Sequence, residues 1–344
     1  MKIDLVVGAR PNFVKAAAIV EAAWKYPDVK IRLIHTGQHE GKMSDPFFKE
    51  LGLPDPILLN HDDGPRRFGN MLGILSAHWS AFKPDYVMVV GDTDSTLAGA
   101  IAAKKAGISL IHVEAGLRCG EKNMQEEINR KAVDSISDIL YTTTADATDR
   151  LIDEGHSDVL FVGNVMIDTL FRFKDRAIKQ FTDRSIFRPD AKYAVLTLHR
   201  AENVDDREKL DCILEAVAKI KTPVIFPMHP RTQKTRRYPN GVILAPPYSY
   251  FDFIGLMAGA QFVMTDSGGI QEETTALGVP CLTLRPTTER PETVYSGTNH
   301  VIGTSPLRII EMADAVLSWK DDGRRPELWD GRSADRIMQD LVRR

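Results

Sequence analysis

Cysteine is scarce in this chain: Cys119, Cys212 and Cys281 are the only ones among 344 residues, an odd number without metal-ligand spacing. That excludes a disulfide framework and a zinc ribbon, and it fits a reducing compartment in which all three pack as small side chains. Long apolar runs are missing too. The stretch Met1 to Gly8 stops at Arg10-Pro11, short of a membrane span and of a signal-peptide core, so a cytoplasmic protein with no membrane partner is expected. Charge of one sign is lacking: 44 basic against 47 acidic residues give a formal charge of -3, without the broad basic surface that nucleic acids require. No Gly-x-Gly-x-x-Gly follows the first strand-like run, where Gly8-Ala9-Arg10-Pro11 stands instead, and a nicotinamide cofactor is disfavoured. His35, His39, His61, His78, His112, His156 and His300 form no ligand grouping and read as packing or surface residues, so no metal site is expected.

What is present is the composition of a folded globular protein, with 43% hydrophobic and 26% charged residues. The length exceeds what one hydrophobic core usually serves, and two domains are expected. Short β-branched runs at Ile3 to Val7, Ile31 to His35, Tyr86 to Val90, Leu110 to Val113 and Ile139 to Tyr141 each precede an amphipathic stretch, the pattern of a parallel α/β sheet. A second series runs through Ala194 to Leu198, Val224 to Pro227, Val242 to Leu244, Phe262 to Thr265 and Cys281 to Leu284. Between them, the helical stretch Ile167 to Gln180 and the polar segment Thr182 to Lys192 read as an interdomain crossing. The expected fold is therefore α/β, two Rossmann-like domains facing across a cleft: residues 1–165, and residues 166–330, with a helix at 331–344 returning to the first.

Open parallel sheets bind ligands at the carboxyl ends of their strands. The polar outliers fall there: Gly8 to Pro11, Gly91-Asp92-Thr93, Glu114-Ala115-Gly116, His199-Arg200, His229-Pro230 and Asp266 to Gly269. Ser267-Gly268-Gly269 opens a helix whose exposed backbone N–H groups suit a diphosphate, with Glu273 one turn on, in reach of ribose hydroxyls. Arg10 and Lys15, near the start of the first helix, offer cations to a phosphate. Asp92, Glu114 and Glu126 are the most informative set: each alone could be a helix cap or a buried ion pair, but three together point to acid-base work. Arg118 and Arg130 supply possible counter-charges, and His199 and His229 could bind phosphate or protonate a leaving group.

Taken in order, Gly8-Ala9-Arg10-Pro11, His35 to His39, Gly91-Asp92-Thr93, His112 to Arg118, Glu126 to Arg130, Gly163 to Asp168, Leu198-His199-Arg200, Ser267 to Glu273 and Thr288 to Glu292 span nearly the whole chain. In this combination the sequence resembles the bacterial and archaeal UDP-N-acetylglucosamine 2-epimerase family. The resemblance implies a glycosyltransferase-B-like architecture, a homodimer, a UDP-sugar held mainly by the carboxy-terminal domain, and chemistry without a cofactor. By resemblance, Asp92, Glu114 and Glu126 are acid-base groups and His199 aids departure of the leaving group. Arg10, Lys15, Arg130, His229, Ser267, Gly268, Gly269, Glu273 and Arg290 match positions that hold nucleotide or sugar. Gln125 stands where a proline commonly precedes the two glutamates, and residues 61–70 lack the Arg-Gln pattern with which many members bind a second, activating substrate molecule.

Reversible, non-hydrolysing epimerisation is the leading expectation. A hydrolysing relative that releases UDP and N-acetylmannosamine would use the same elimination step, and a 2-epimerase of a diacetamido uronic acid nucleotide is a third reading, against which Thr288 to Glu292 argues. From another class, a binding regulator or a glycosyltransferase could share the scaffold. The three carboxylates speak against a pure binder.

Overall fold

A computed structural model describes residues 1–38, 45–59, 66–120, 123–184, 192–228, 238–319 and 321–344. His39, His229 and the stretch 185–191 of the expected crossing lie outside the described residues. The chain divides into two compact units, Met1–Thr169 with Glu327–Arg344, and Leu170–Pro326.

The first unit begins with β1 (Lys2–Val7), α1 (Arg10–Ala23), β2 (Lys30–His35), α2 (Asp45–Leu51), β3 (Ile57–Leu58) and α3 (Arg67–Ala81). It continues through β4 (Tyr86–Val90), α4 (Asp94–Lys105), β5 (Ser109–Ala115), α5 (Gln125–Ile136), β6 (Ile139–Thr142), α6 (Ala145–Asp153) and β7 (Val159–Phe161). The helix α7 (Val165–Arg184) carries the chain from one unit into the next. All pairings in the seven-stranded sheet are parallel, in the order β3-β2-β1-β4-β5-β6-β7. Its inner strands β4 and β5 are buried at nearly every position because helices cover them. Val6, Val87 and Val89 pack with Met71, Leu75 and Trp79 of α3 and the alanines of α4.

The second unit contains β8 (Ala194–Thr197), α8 (Ala201–Val204), α9 (Arg207–Val217), β9 (Val224–Pro227), β10 (Val242–Ala245), α10 (Tyr250–Ala258) and β11 (Val263–Thr265). It ends with α11 (Gly268–Leu277), β12 (Cys281–Thr283), α12 (Glu292–Tyr295), β13 (Asn299–Val301) and α13 (Pro306–Val316). Its six parallel strands run β10-β9-β8-β11-β12-β13. Each sheet thus reverses its strand order once, between β1 and β4 and between β8 and β11, and ligands of such sheets gather beside that reversal.

The last helix, α14 (Ser333–Arg343), belongs to the first unit. Ala334, Ile337, Met338 and Leu341 recur at helical spacing and are buried, while Lys25, just past the end of α1, reaches Asp335 at 2.6 Å. Asp168 accepts the Ala334 N–H at 2.7 Å; burial pushes its carboxyl up to about 6. Among the described residues no helix is long and apolar enough to cross a membrane, and no group of His, Cys, Asp or Glu could hold a metal ion.

Candidate active site

In the first unit the site residues stand at the carboxyl ends of β1, β4 and β5. Pro11 opens α1, a position where its missing N–H costs nothing. Asn12, buried, accepts the N–H groups of Gly8 and Ala9 at 3.2 and 3.0 Å and donates to the Val90 carbonyl at 2.9 Å. It thereby ties the end of β1 to the end of β4. Lys15, on the same helix, forms a buried ion pair with Glu114. Arg10 is half-buried over the Phe47 ring, and burial lowers the affinity of its guanidinium for a proton.

Glu114 lies at a β-bulge: the register with β6 shifts between Val113 and Ala115, and Glu114 holds φ +73. Left-handed backbone costs a residue with a Cβ roughly 1–2 kcal/mol, and a bulge of this kind re-aims a side chain at the strand end. Gly91, at φ +70, makes the neighbouring turn; a Cβ there would stand 2.8 Å from the Lys15 ammonium. Asp92 follows and takes two hydrogen bonds from Arg130, at 3.0 Å from Nε and 2.6 Å from Nη2. Arg130 also reaches Glu127, which is buried and accepts the Cys119 N–H at 3.0 Å. Glu126 is half-buried in the first turn of α5, where the helix dipole favours a carboxylate. The structure thus pairs Lys15 with Glu114 and Arg130 with Asp92.

Arg118 departs from its expected place as a counter-charge to the three carboxylates. It goes instead to Asp134 at 2.6 Å and Glu154 at 2.7 Å. Its guanidinium is thereby held between α5 and the end of α6. Burial pushes the Asp134 carboxyl up, but His112 and Arg118 together outweigh it and hold the group below the usual carboxylate range.

In the second unit Asp266, fully buried after β11, organises the loop after β8. It accepts the N–H groups of His199 and Arg200 and the Asn203 amide, all at 3.1–3.2 Å, and pairs with His199 Nδ1 at 2.9 Å. Asp266 thereby orients the imidazole through Nδ1, and the His199 side chain is 45% exposed. Burial raises the Asp266 carboxyl, but its hydrogen bond and charge interaction with His199 bring it below the usual range.

Ser267 is the N-cap of α11, and Gly268 and Gly269 open the helix. A Cβ on Gly268 would stand 2.7 Å from Oε1 of Glu289, so any larger residue would have to displace that carboxylate. Glu289 is buried among arginines, contacting Arg200 at 3.0 Å and Arg285 at 2.5 Å; although burial pushes its carboxyl up, Arg290, Arg285 and Arg200 hold it at about 2. Arg290 itself pairs with Glu272 at 2.8 Å. Glu273 accepts a hydrogen bond from the Tyr250 hydroxyl at 3.1 Å, and burial pushes it up to about 7. A helix start with free backbone N–H groups, an imidazole and an adjacent carboxyl can hold a diphosphate and a polyhydroxylated group.

Asn12, His112, Asp134, Glu127 and Tyr250 were not singled out from the sequence. An asparagine three residues into a helix after Arg-Pro carries a legible capping signal; Glu127 is one turn from Arg130, whereas His112, Asp134 and Tyr250 make their contacts with residues far away in the chain.

A sequence model described as UDP-N-acetylglucosamine 2-epimerase matches residues 21–342. The chain is 38% identical to a Methanocaldococcus jannaschii protein of that name, over 99% of each. It is 37% identical to a Pseudomonas aeruginosa UDP-2,3-diacetamido-2,3-dideoxy-D-glucuronate 2-epimerase, over 100% of each. Among solved structures, it is similar to the M. jannaschii UDP-GlcNAc 2-epimerase in complex with UDP-GlcNAc and UDP, with a TM-score of 0.91 and 36% identity over 100% of both chains.

Proposed function

The chain belongs to the UDP-N-acetylglucosamine 2-epimerase family, and on that premise we propose that it inverts carbon 2 of UDP-N-acetylglucosamine to give UDP-N-acetylmannosamine, reversibly and without hydrolysis. The carbon 2 proton has no carbonyl beside it, so simple deprotonation would leave a poorly stabilised carbanion. Elimination avoids that species. UDP departs from carbon 1 with the electron pair of the C1–O bond while a carboxylate takes the carbon 2 proton, leaving 2-acetamidoglucal. Re-addition of UDP at carbon 1, with a proton delivered to the other face of carbon 2, completes the inversion.

In this reading Asp92, Glu114 and Glu126 are the acid-base groups, Lys15 and Arg130 orient two of them, and Arg10 contacts the sugar nucleotide. The start of α11, with Ser267, Gly268 and Gly269, binds the diphosphate; Glu273 binds the ribose; His199, oriented by Asp266, aids departure of the leaving group; His229 and Arg290 complete the nucleotide contacts. The observation that supports it most is Glu114: a buried glutamate on strained backbone, facing a buried lysine at a strand end, adds nothing to a core that an apolar residue would not supply more cheaply. The family resemblance also supports a homodimer acting in the cytoplasm, and light scattering should then find about twice the chain mass of 38.4 kDa.

Incubation with UDP-N-acetylglucosamine in deuterium oxide, followed by NMR, tests the proposal. Deuterium at carbon 2 of both nucleotide sugars is the expected result. Free N-acetylmannosamine would make the enzyme hydrolytic, and an unchanged spectrum would leave a binding protein. Similarity to the P. aeruginosa relative favours one second reading, a diacetamido uronic acid nucleotide as substrate, which the same assay on that sugar decides.

A further inference from the structure

Behind the two turns that carry Asp92 and Glu114 lies a closed set of buried contacts. His112, wholly buried in β5, places Nε2 2.9 Å from the Gly91 carbonyl oxygen and Nδ1 2.6 Å from Asp134 Oδ1. A carbonyl oxygen only accepts, so Nε2 donates to Gly91 while Nδ1 is engaged by the Asp134 carboxyl. The other oxygen of Asp134 accepts the Gly116 N–H at 3.2 Å and the Arg118 guanidinium at 2.6 Å. Gly91 N–H closes the ring by donating to the Val113 carbonyl at 3.0 Å.

These contacts land where the backbone needs restraint. Gly91, Glu114 and Gly116 hold φ of +70, +73 and +79, and the His112 and Asp134 contacts grip the residue before Asp92 and the residue two beyond Glu114. A buried imidazole and carboxyl are expensive to desolvate, and apolar side chains of the same volume would fill the space at less cost. What an apolar residue would not do is donate to the Gly91 carbonyl, or link it through one carboxylate to the Gly116 amide.

We propose that His112 and Asp134 are positioning residues, a buried clamp that holds the Gly91-Asp92 turn and the Glu114 bulge in the arrangement their carboxylates need for proton transfer. The clamp acts through Asp92 and Glu114, and so rests on the acid-base reading of those two groups given above.

Three variants test it: His112→Phe fills the space and donates nothing, His112→Gln keeps one amide donor for the Gly91 carbonyl, and Asp134→Asn keeps the shape and loses the charge. In His112→Phe, kcat should fall about 100-fold, with KM and the UDP dissociation constant changed by less than about threefold. His112→Gln should recover about tenfold of that loss, and Asp134→Asn should fall between the two. The crystal structure of His112→Phe should show Glu114 out of its left-handed conformation. A kcat within about threefold of the wild type, equal losses in the Phe and Gln variants, or an unmoved Glu114 overturns the proposal. If His112→Phe does not fold, the other two variants carry the kinetic test. A wild-type enzyme inactive on every UDP-sugar overturns the functional reading instead, and the position of Glu114 in the variants still decides whether the clamp exists.

Discussion

Glu114 and Glu273 are both buried carboxyl groups, but they are held differently. Glu114 faces an ammonium group and sits on backbone that only glycine adopts freely, whereas Glu273 has the neutral hydroxyl of Tyr250. As acid-base groups, Asp92, Glu114 and Glu126 should each be replaceable by the amide only with a loss in turnover of about 100-fold or more. Calorimetry should find UDP binding nearly intact in Asp92→Asn, Glu114→Gln and Glu126→Gln, and full turnover in any one removes that residue from the chemistry. Glu273 carries a prediction about stability. The folded carboxyl keeps its proton up to about 7 while the unfolded chain loses it near 4.5, so the folded state binds more protons in that window and stability falls as pH rises through it. The penalty in the free protein approaches about 3 kcal/mol at neutral pH. Glu273→Gln should therefore melt at a higher temperature than the wild type near pH 8, lose that advantage below about pH 4.5, and bind UDP more weakly. An advantage independent of pH would mean that the carboxyl is not held protonated. Of the residues at this scale, those at strand ends could be read from the chain, because position after an apolar run marks them. His112 could not: an imidazole inside a strand looks like packing until Gly91 and Asp134 are seen beside it.

At the scale of elements, the inner strands were legible because they are covered on both faces and so carry runs of buried apolar residues, such as Val87–Val90, broken at few positions. Of the outer ones only β10 was. Ile57–Leu58 is two residues long and exposed, Val159–Phe161 is only half-buried, and Asn299–Val301 begins on a polar residue. An edge strand that short leaves no period to count. The helix α14 shows the reverse: its apolar stripe is plain in the sequence, while the face of α1 that receives it is not, since α1 is buried nearly all round. Leu341 is fully buried in that stripe, and Leu341→Ala should cost about 2–5 kcal/mol. Chemical denaturation followed in the first unit measures it; a cost under about 0.5 kcal/mol, the range of surface substitutions, would mean that α14 is only loosely attached.

For the whole molecule, the division of labour between two sheets makes its own prediction. If the nucleotide is held by the second unit, UDP should protect amides there against hydrogen exchange, above all at the start of α11 and across residues 199–204. At a concentration of about 100 times the dissociation constant the stabilisation amounts to about 2.7 kcal/mol. Protection confined to the ends of β1, β4 and β5 would reverse the assignment of the two units.

The first unit is assembled from two pieces of chain, with 170–326 lying between them in sequence. On the ribosome, then, the later-made unit is the one that can finish first: its strands and helices are contiguous, ending at Pro326. The earlier-made sheet must wait, with the side of α1 that α14 covers still open to water, until residues 333–343 emerge. Through that interval the apolar face of α1 is the part of the nascent chain most in need of a chaperone.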